Sequence, residues 1–181
     1  MNSDWFYGSM DHIIDDIWIG DEDSAANLSM LKMNSISAIL CVQDNDQYRS
    51  LYPTDWRFLH LILYDQEQIS DEVFEESLEF IQNCRKEQHR ILVHCSAGQS
   101  RSPSIVAAYL MSSKGMNPYQ ALAFMQKRRE DIDPAKECYR STIKFCFPHK
   151  SWRCRTCGRQ WIYTRDRYKN PRNCVCTIPH L

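Results

Sequence analysis

No apolar run in this sequence approaches the roughly 20 residues that a helix needs to cross a bilayer. The opening stretch, Met1 to Asp16, is acidic and lacks the basic-then-apolar layout of a secretory signal. Internal repeats and low-complexity tracts are also missing. These absences lead us to expect a soluble protein of the cytoplasm or nucleus. Acid is nearly absent from the C-terminal stretch 148–181, which holds eight Lys/Arg against one carboxylate, Asp166. Residues 1–147 carry the opposite balance, 14 Lys/Arg against 22 Asp/Glu. Such a split predicts two units with different jobs, divided near Pro148.

What is present is ordinary globular material. Of 181 residues, 43% are hydrophobic, 25% charged and 12% aromatic. That is enough to bury a core and too much to leave the chain disordered. Nine cysteines are many for a reducing compartment, where they are read as thiols, catalytic groups or metal ligands before disulfides.

Apolar β-branched runs predict strands at Asp16–Gly20, Ile36–Val42, Arg57–Tyr64 and Arg90–His94. Between them, Leu28–Met33 has helical character. Ser70 offers an N-cap, and Val73, Phe74, Ser77, Leu78, Ile81 and Cys84 recur on one helical face. Further helices are expected over Pro103–Ser113 (ended by Gly115), after Asn117-Pro118, and over about Pro134–Phe145. Strands alternating with helices predict an α/β domain with a central, mostly parallel sheet covered by helices.

The chemistry concentrates in Ile91-Leu-Val-His-Cys-Ser-Ala-Gly-Gln-Ser-Arg-Ser102. A buried strand ends at His94, a loop of small residues follows, and a helix begins just after Arg101. That layout gathers main-chain N–H groups and a helix N-terminus around one point, forming an anion site lined by Ser96, Ala97, Gly98, Gln99, Ser100 and Arg101. Cys95 lies at its foot, where a positive field favours the thiolate. The planar fork of Arg101 can hold two phosphate oxygens. Ser102 can donate to the sulfur and help it leave. Thiolate, guanidinium and N–H nest together suit phosphoryl transfer to sulfur.

At this point the chain resembles the dual-specificity family of cysteine-dependent phosphatases. Cys95-x5-Arg101 is similar to the general signature, and residues 94–102 match His-Cys-x-Ala-Gly-x-Ser-Arg-Ser at every fixed place. Ala108-Tyr-Leu-Met111 and Asp16-Ile-Trp-Ile-Gly-Asp-Glu-Asp-Ser-Ala-Ala26 extend the likeness, which covers about residues 10–147. The resemblance implies the cysteine-phosphatase fold for 1–147 and a phosphoprotein substrate. Hydrolysis of phosphotyrosine and phosphoserine or phosphothreonine would pass through a phosphocysteine, with no cofactor for catalysis. Asp65 would be the general acid, 30 residues before Cys95, with Glu67 and Asp71 as competitors. His94 would orient the loop and tune the thiolate through hydrogen bonds.

Two departures stand out. The family often places Asn after the proline at Pro134, as a brace for the phosphate loop, and here Ala135 stands there. A looser loop and a slower enzyme are therefore expected. Residues 96–100 contain no Lys, unlike the loops of phosphoinositide phosphatases, which argues against an inositol lipid.

In the tail, Cys154-x2-Cys157-Gly158 is a zinc-knuckle pattern, and Cys174-x-Cys176 supplies a second pair. A zinc-ribbon-like module held by one structural zinc is expected on these four thiolates, with His149 and His180 as substitutes. Basic residues interleaved with Trp152, Trp161, Tyr163 and Tyr168 suit RNA, DNA or an acidic partner. Two other readings stay open: an RNA 5′-end or other non-protein phosphatase, and a phosphate-binding scaffold of low activity.

Overall fold

The computed structural model describes residues 8–148, 151–153 and 160–162. A five-stranded sheet is built from β1 (Met10–Ile14), β2 (Ile17–Gly20), β3 (Ile36–Val42), β4 (Arg57–Leu61) and β5 (Arg90–His94). Its order is β1-β2-β5-β3-β4, with only the β1–β2 pair antiparallel. The expected mostly parallel α/β sheet is thus observed. β5 lies at its centre, paired through Val93 with Ile19 on one side and Leu40 on the other.

Alternation along the strands assigns the two faces. Ile17, Ile19, Ala38, Leu40, Ile91 and Val93 bury themselves against α3 (Asp71–Lys86), α4 (Arg101–Lys114), α5 (Pro118–Gln126) and α6 (Lys136–Cys146). Ile39 and Leu92 point the other way, onto α1 (Glu22–Ala26), α2 (Leu28–Met33) and Tyr52. Both faces are covered, as parallel strands require.

Helix ends follow local chemistry. The Ser70 side chain accepts from the Val73 N–H, with Asp71 and Glu72 in the first turn of α3. Asn117 and Gln120 form a reciprocal capping box on α5. Gly115 ends α4 at φ 68°, in the left-handed region that glycine occupies without penalty. Arg101 through Met111 of α4 are all buried, so this helix forms the spine of the domain.

Two strands differ from expectation. β4 stops at Leu61 rather than Tyr64, because the next residues turn toward the site: the Leu63 N–H donates to the Gln43 carbonyl and the Leu63 carbonyl accepts from Arg101. β1 was not expected, since Met-Asp-His-Ile-Ile lacks clean alternation, and pairing with β2 makes it a strand. Among the described residues no helix is long and apolar enough to cross a membrane. In the tail, β6 (Ser151–Arg153) pairs antiparallel with β7 (Gln160–Ile162), so that Trp152 opposes Trp161. The expected metal ligands Cys154, Cys157, Cys174 and Cys176, with His149 and His180, lie outside the described residues.

Candidate active site

The loop between β5 and α4 is shaped by what binds its carbonyls. The Ser96 carbonyl accepts from the Glu22 N–H at 3.0 Å, and the Gln99 carbonyl from the Asp133 N–H at 3.0 Å. Arg129 donates from Nη2 to the Ala97 carbonyl and from Nε to the Gly98 carbonyl, each at 3.2 Å. The Ser100 carbonyl is taken by the Ser104 N–H and hydroxyl. Every carbonyl from 96 to 100 is therefore held on the outer side. In a trans peptide the following N–H points the opposite way, and no cis bond occurs among the described residues. The N–H groups of Ala97, Gly98, Gln99, Ser100 and Arg101 thus converge inward, as a nest for an anion.

Gly98 is required for this shape. Its φ is +67°, and a Cβ there would sit 2.6 Å from the Gly20 carbonyl oxygen and 2.8 Å from Arg129 Nη2. Of the expected loop residues, Cys95, Ser96, Ala97, Gln99, Ser100 and Arg101 line a cleft of about 600 Å³, while Gly98 stands behind the wall. Asp65 and Gln66 form one lip, and Asp133, Ala135, Lys136 and Glu137 the other.

Cys95 is 2% exposed, with Sγ 3.3 Å from the Ser102 hydroxyl. Arg101 is buried, and its guanidinium is oriented by three elements. It donates from Nη1 to the Leu63 carbonyl at 3.0 Å and from Nη2 to the Ser96 hydroxyl at 2.9 Å. Asp44 and Asp65 approach it at 3.8 and 3.9 Å. Asp65 stays solvent-accessible over the cleft, a suitable place for a group exchanging protons with substrate and water. Its competitors fall elsewhere. Asp71 is the first residue of α3, and neither it nor Glu67 lines the cleft.

His94 is fully buried, and burial pushes its pKa down to about 4, so the imidazole is neutral at neutral pH. Nδ1 makes no hydrogen bond among the described residues, and the Asp46 charge and the Cys95 main chain oppose the effect of burial without overcoming it. The positive field at Cys95 comes from the loop N–H groups and Arg101.

The missing Asn brace is replaced by main chain. The Ala135 N–H donates to the Ser100 hydroxyl at 2.9 Å, beside the Asp133 bond to Gln99. The expectation of an unbraced loop is corrected accordingly. Arg129, 5% exposed, is the largest single support and was missed in the sequence. In Lys127-Arg128-Arg129 it reads as part of a solvated basic run, and only its place before the Pro134 loop hints otherwise. Gln43 and Asp44 were also missed, for no local signal marks the end of β3 as part of the site.

A buried sulfur under an inward-facing amide nest, with a guanidinium across the cleft, defines the class of cysteine-dependent phosphatases. Comparison with known proteins narrows the class. The family model described as dual specificity phosphatase, catalytic domain, matches residues 17–145. The chain belongs to the dual-specificity phosphatase family, and those residues are its catalytic domain. It is 32% identical over 129 residues to Protein-tyrosine-phosphatase IBR5 of Arabidopsis thaliana, covering 71% of this chain and 48% of the relative. It is 33% identical over 119 residues to Dual specificity protein phosphatase 1 of the same plant, covering 65% and 59%. The chain therefore spans about half the length of the curated relatives it matches. Among solved structures, DUSP15 aligns with a TM-score of 0.70 at 27% identity, covering 76% of this chain and 87% of that one. The human tyrosine phosphatase-like serine/threonine/tyrosine-interacting protein gives 0.65 at 27%, covering 75% and 94%.

Proposed function

We propose that the whole protein is an active phosphoprotein phosphatase that hydrolyses phosphotyrosine and phosphoserine or phosphothreonine through a phosphocysteine. The observation that carries this reading is the outward anchoring of all five loop carbonyls around Cys95. In the first step the Cys95 thiolate attacks phosphorus, the P–O bond to the substrate side chain breaks, and Asp65 gives its proton to the departing oxygen. Loop N–H groups and Arg101 hold the three equatorial oxygens as charge spreads over them. In the second step Asp65, now ionised, takes a proton from water, which attacks phosphorus. The P–S bond breaks, and Ser102 donates a hydrogen bond to the leaving sulfur. A cleft of about 600 Å³ supports entry of short as well as long phosphorylated side chains.

For the tail we read a structural zinc ion on Cys154, Cys157, Cys174 and Cys176. Support comes from the Cys-x2-Cys-Gly spacing and from the pairing of β6 with β7, the strands on either side of the first cysteine pair. The basic charge of 148–181 suits an acidic partner or RNA. The free thiols of the five described cysteines fit a reducing compartment such as cytoplasm or nucleus.

Turnover of an aryl phosphate and of phosphotyrosine and phosphothreonine peptides tests the reading. Wild-type protein should hydrolyse them and C95S should not, while D65N should slow the first step by about 10²- to 10⁴-fold. Equal inertness of wild-type and C95S would favour a scaffold instead. Metal content of the intact protein, about one zinc per chain lost when Cys154 and Cys157 become Ser, tests the tail.

A further inference from the structure

The floor of the cleft is built for an anion, but its walls are not. The α5–α6 connection contributes exposed Asp133 to one wall, with exposed Glu130 and Asp131 just before it in the chain and the exposed cations Lys127 and Arg128 farther back. Glu137 follows on the same rim, partly engaged by Arg140 at 3.3 Å. Opposite, Asp44 and Asp65 lie beside Arg101, their side chains 48% and 57% exposed. Four carboxylates, Asp44, Asp65, Asp133 and Glu137, thus stand at the mouth, where among the described residues the one exposed cation lining the cleft is Lys136, and Arg101 is committed to the bound phosphoryl group. Once a phosphate dianion neutralises Arg101, Asp44 is left without a counter-charge from it, and the mouth becomes more acidic still.

On the reading of the site as a phosphoprotein phosphatase, we propose that this acidic rim selects phosphorylated residues set in basic sequence. A peptide with Arg or Lys on either side of the phosphoresidue places its cations over Asp44 and the 130–133 segment. A polyanion meets the reverse field: the second and third phosphates of an RNA 5′-triphosphate, or acidic residues beside a phosphoresidue, would stand against carboxylates. Each exposed charge pair changes an equilibrium by about 1.5- to 5-fold, so three flanking charges amount to roughly tenfold. Because the rim is solvated, the effect must fade as salt shortens the Debye length below about 10 Å. The same field raises the local concentration of basic substrates and acts on association.

The test compares two phosphotyrosine peptides of equal length, one flanked by three arginines and the other by three glutamates. On the full-length protein, kcat/KM should favour the basic peptide by about tenfold at low salt and by about twofold at 0.5 M NaCl. The triple variant E130Q/D131N/D133N keeps the Asp133 main-chain bond to Gln99 and should cut the low-salt ratio to about threefold or less. The ratio within each protein is the readout, so a general loss of activity does not confuse it. Binding of the same peptides to C95S gives an independent ratio. If wild-type protein hydrolyses no aryl phosphate, the phosphatase reading fails while that binding ratio still decides the role of the rim. A ratio near one, a preference for the glutamate peptide, or stronger binding of a 5′-triphosphate oligoribonucleotide than of the basic peptide would overturn the proposal.

Discussion

The Arg129 guanidinium donates from Nε to the Gly98 carbonyl at 3.2 Å, joining residues 31 apart in sequence. The same side chain donates to the Ala97 carbonyl and ties the loop to Ser9 and Asp11, the latter at 2.8 Å. Two consecutive peptide planes of the anion nest are therefore set by one side chain from just beyond α5. R129M should leave the buried Gly98 carbonyl and the part-buried Ala97 carbonyl without this donor, at a cost of about 1–3 kcal/mol by urea denaturation. It should also lower kcat by at least about tenfold, because the nest loses its fixed orientation. R129K should recover little of either, since a single ammonium cannot replace a planar fork. Wild-type kcat in R129K would contradict this account.

How legible was this in the sequence? Cys95, Arg101 and Ser102 are contiguous with the loop they serve, so nine residues display nucleophile, clamp and nest together. Ser70, Asn117 and Gly115 are cap signals acting within one turn, and they mark the helix ends where the structure has them. What stayed hidden depends on distant pairing. Arg129 acts across 31 residues and Gln43 across 53, and neither carries a local mark of its role. Ala135 illustrates the converse: loss of a side-chain brace was visible, but its replacement by the Ala135 N–H was not, because main-chain bonds leave no trace in residue identity.

The neutral state of buried His94 has a measurable pH signature. Its folded pKa of about 4 lies below the ordinary imidazole value of 6.5, so the unfolded chain binds the proton first as pH falls. This contribution is full above pH 6.5 and is lost progressively down to pH 4. The difference of about 2.5 units corresponds to roughly 3 kcal/mol. The stability gap between wild type and H94N, from urea midpoints and m-values, should shrink by about that amount between pH 7.5 and pH 4. A gap that stays constant over this range would mean that the ring titrates alike in the folded and unfolded chain, contrary to its burial.

The remaining described cysteines are poor competitors for an electrophile. Burial pushes Cys41 up to about 12, with the Asp46 charge adding to it. Burial likewise pushes Cys84 up to about 11 and Cys146 to about 12, and raises Cys138. These four thiols are protonated at neutral pH, with Cys41, Cys84 and Cys138 buried and Cys146 half-buried, whereas Cys95 lines the cleft. Brief iodoacetamide treatment at pH 7, read by peptide mass spectrometry, should label Cys95 ahead of these four, and inorganic phosphate should slow that labelling. Modification of Cys41 before Cys95, or labelling of Cys95 indifferent to phosphate, would contradict the arrangement.

Gln43 supports Arg101 through one intermediate. Its side chain is fully buried, and Oε1 accepts from the Ser96 hydroxyl at 3.4 Å while that hydroxyl accepts from Arg101 Nη2 at 2.9 Å. The Gln43 carbonyl accepts from the Leu63 N–H, and the Leu63 carbonyl accepts from Arg101 Nη1. One residue just past β3 thus steadies both terminal nitrogens of the guanidinium, Nη1 and Nη2, by its main chain and by its side chain. Q43L removes only the side-chain branch. The Ser96 hydroxyl is then free to rotate, and one hydrogen bond of about 0.5–1.5 kcal/mol is lost from the orientation of Arg101. Because Arg101 holds phosphate in both ground and transition states, KM for an aryl phosphate should rise about 2- to 10-fold with kcat changed less. S96A should produce a similar shift, and the double variant Q43L/S96A should be no worse than S96A alone, since the two act in series. Additive losses in the double variant would show that Gln43 acts on the site by some other route.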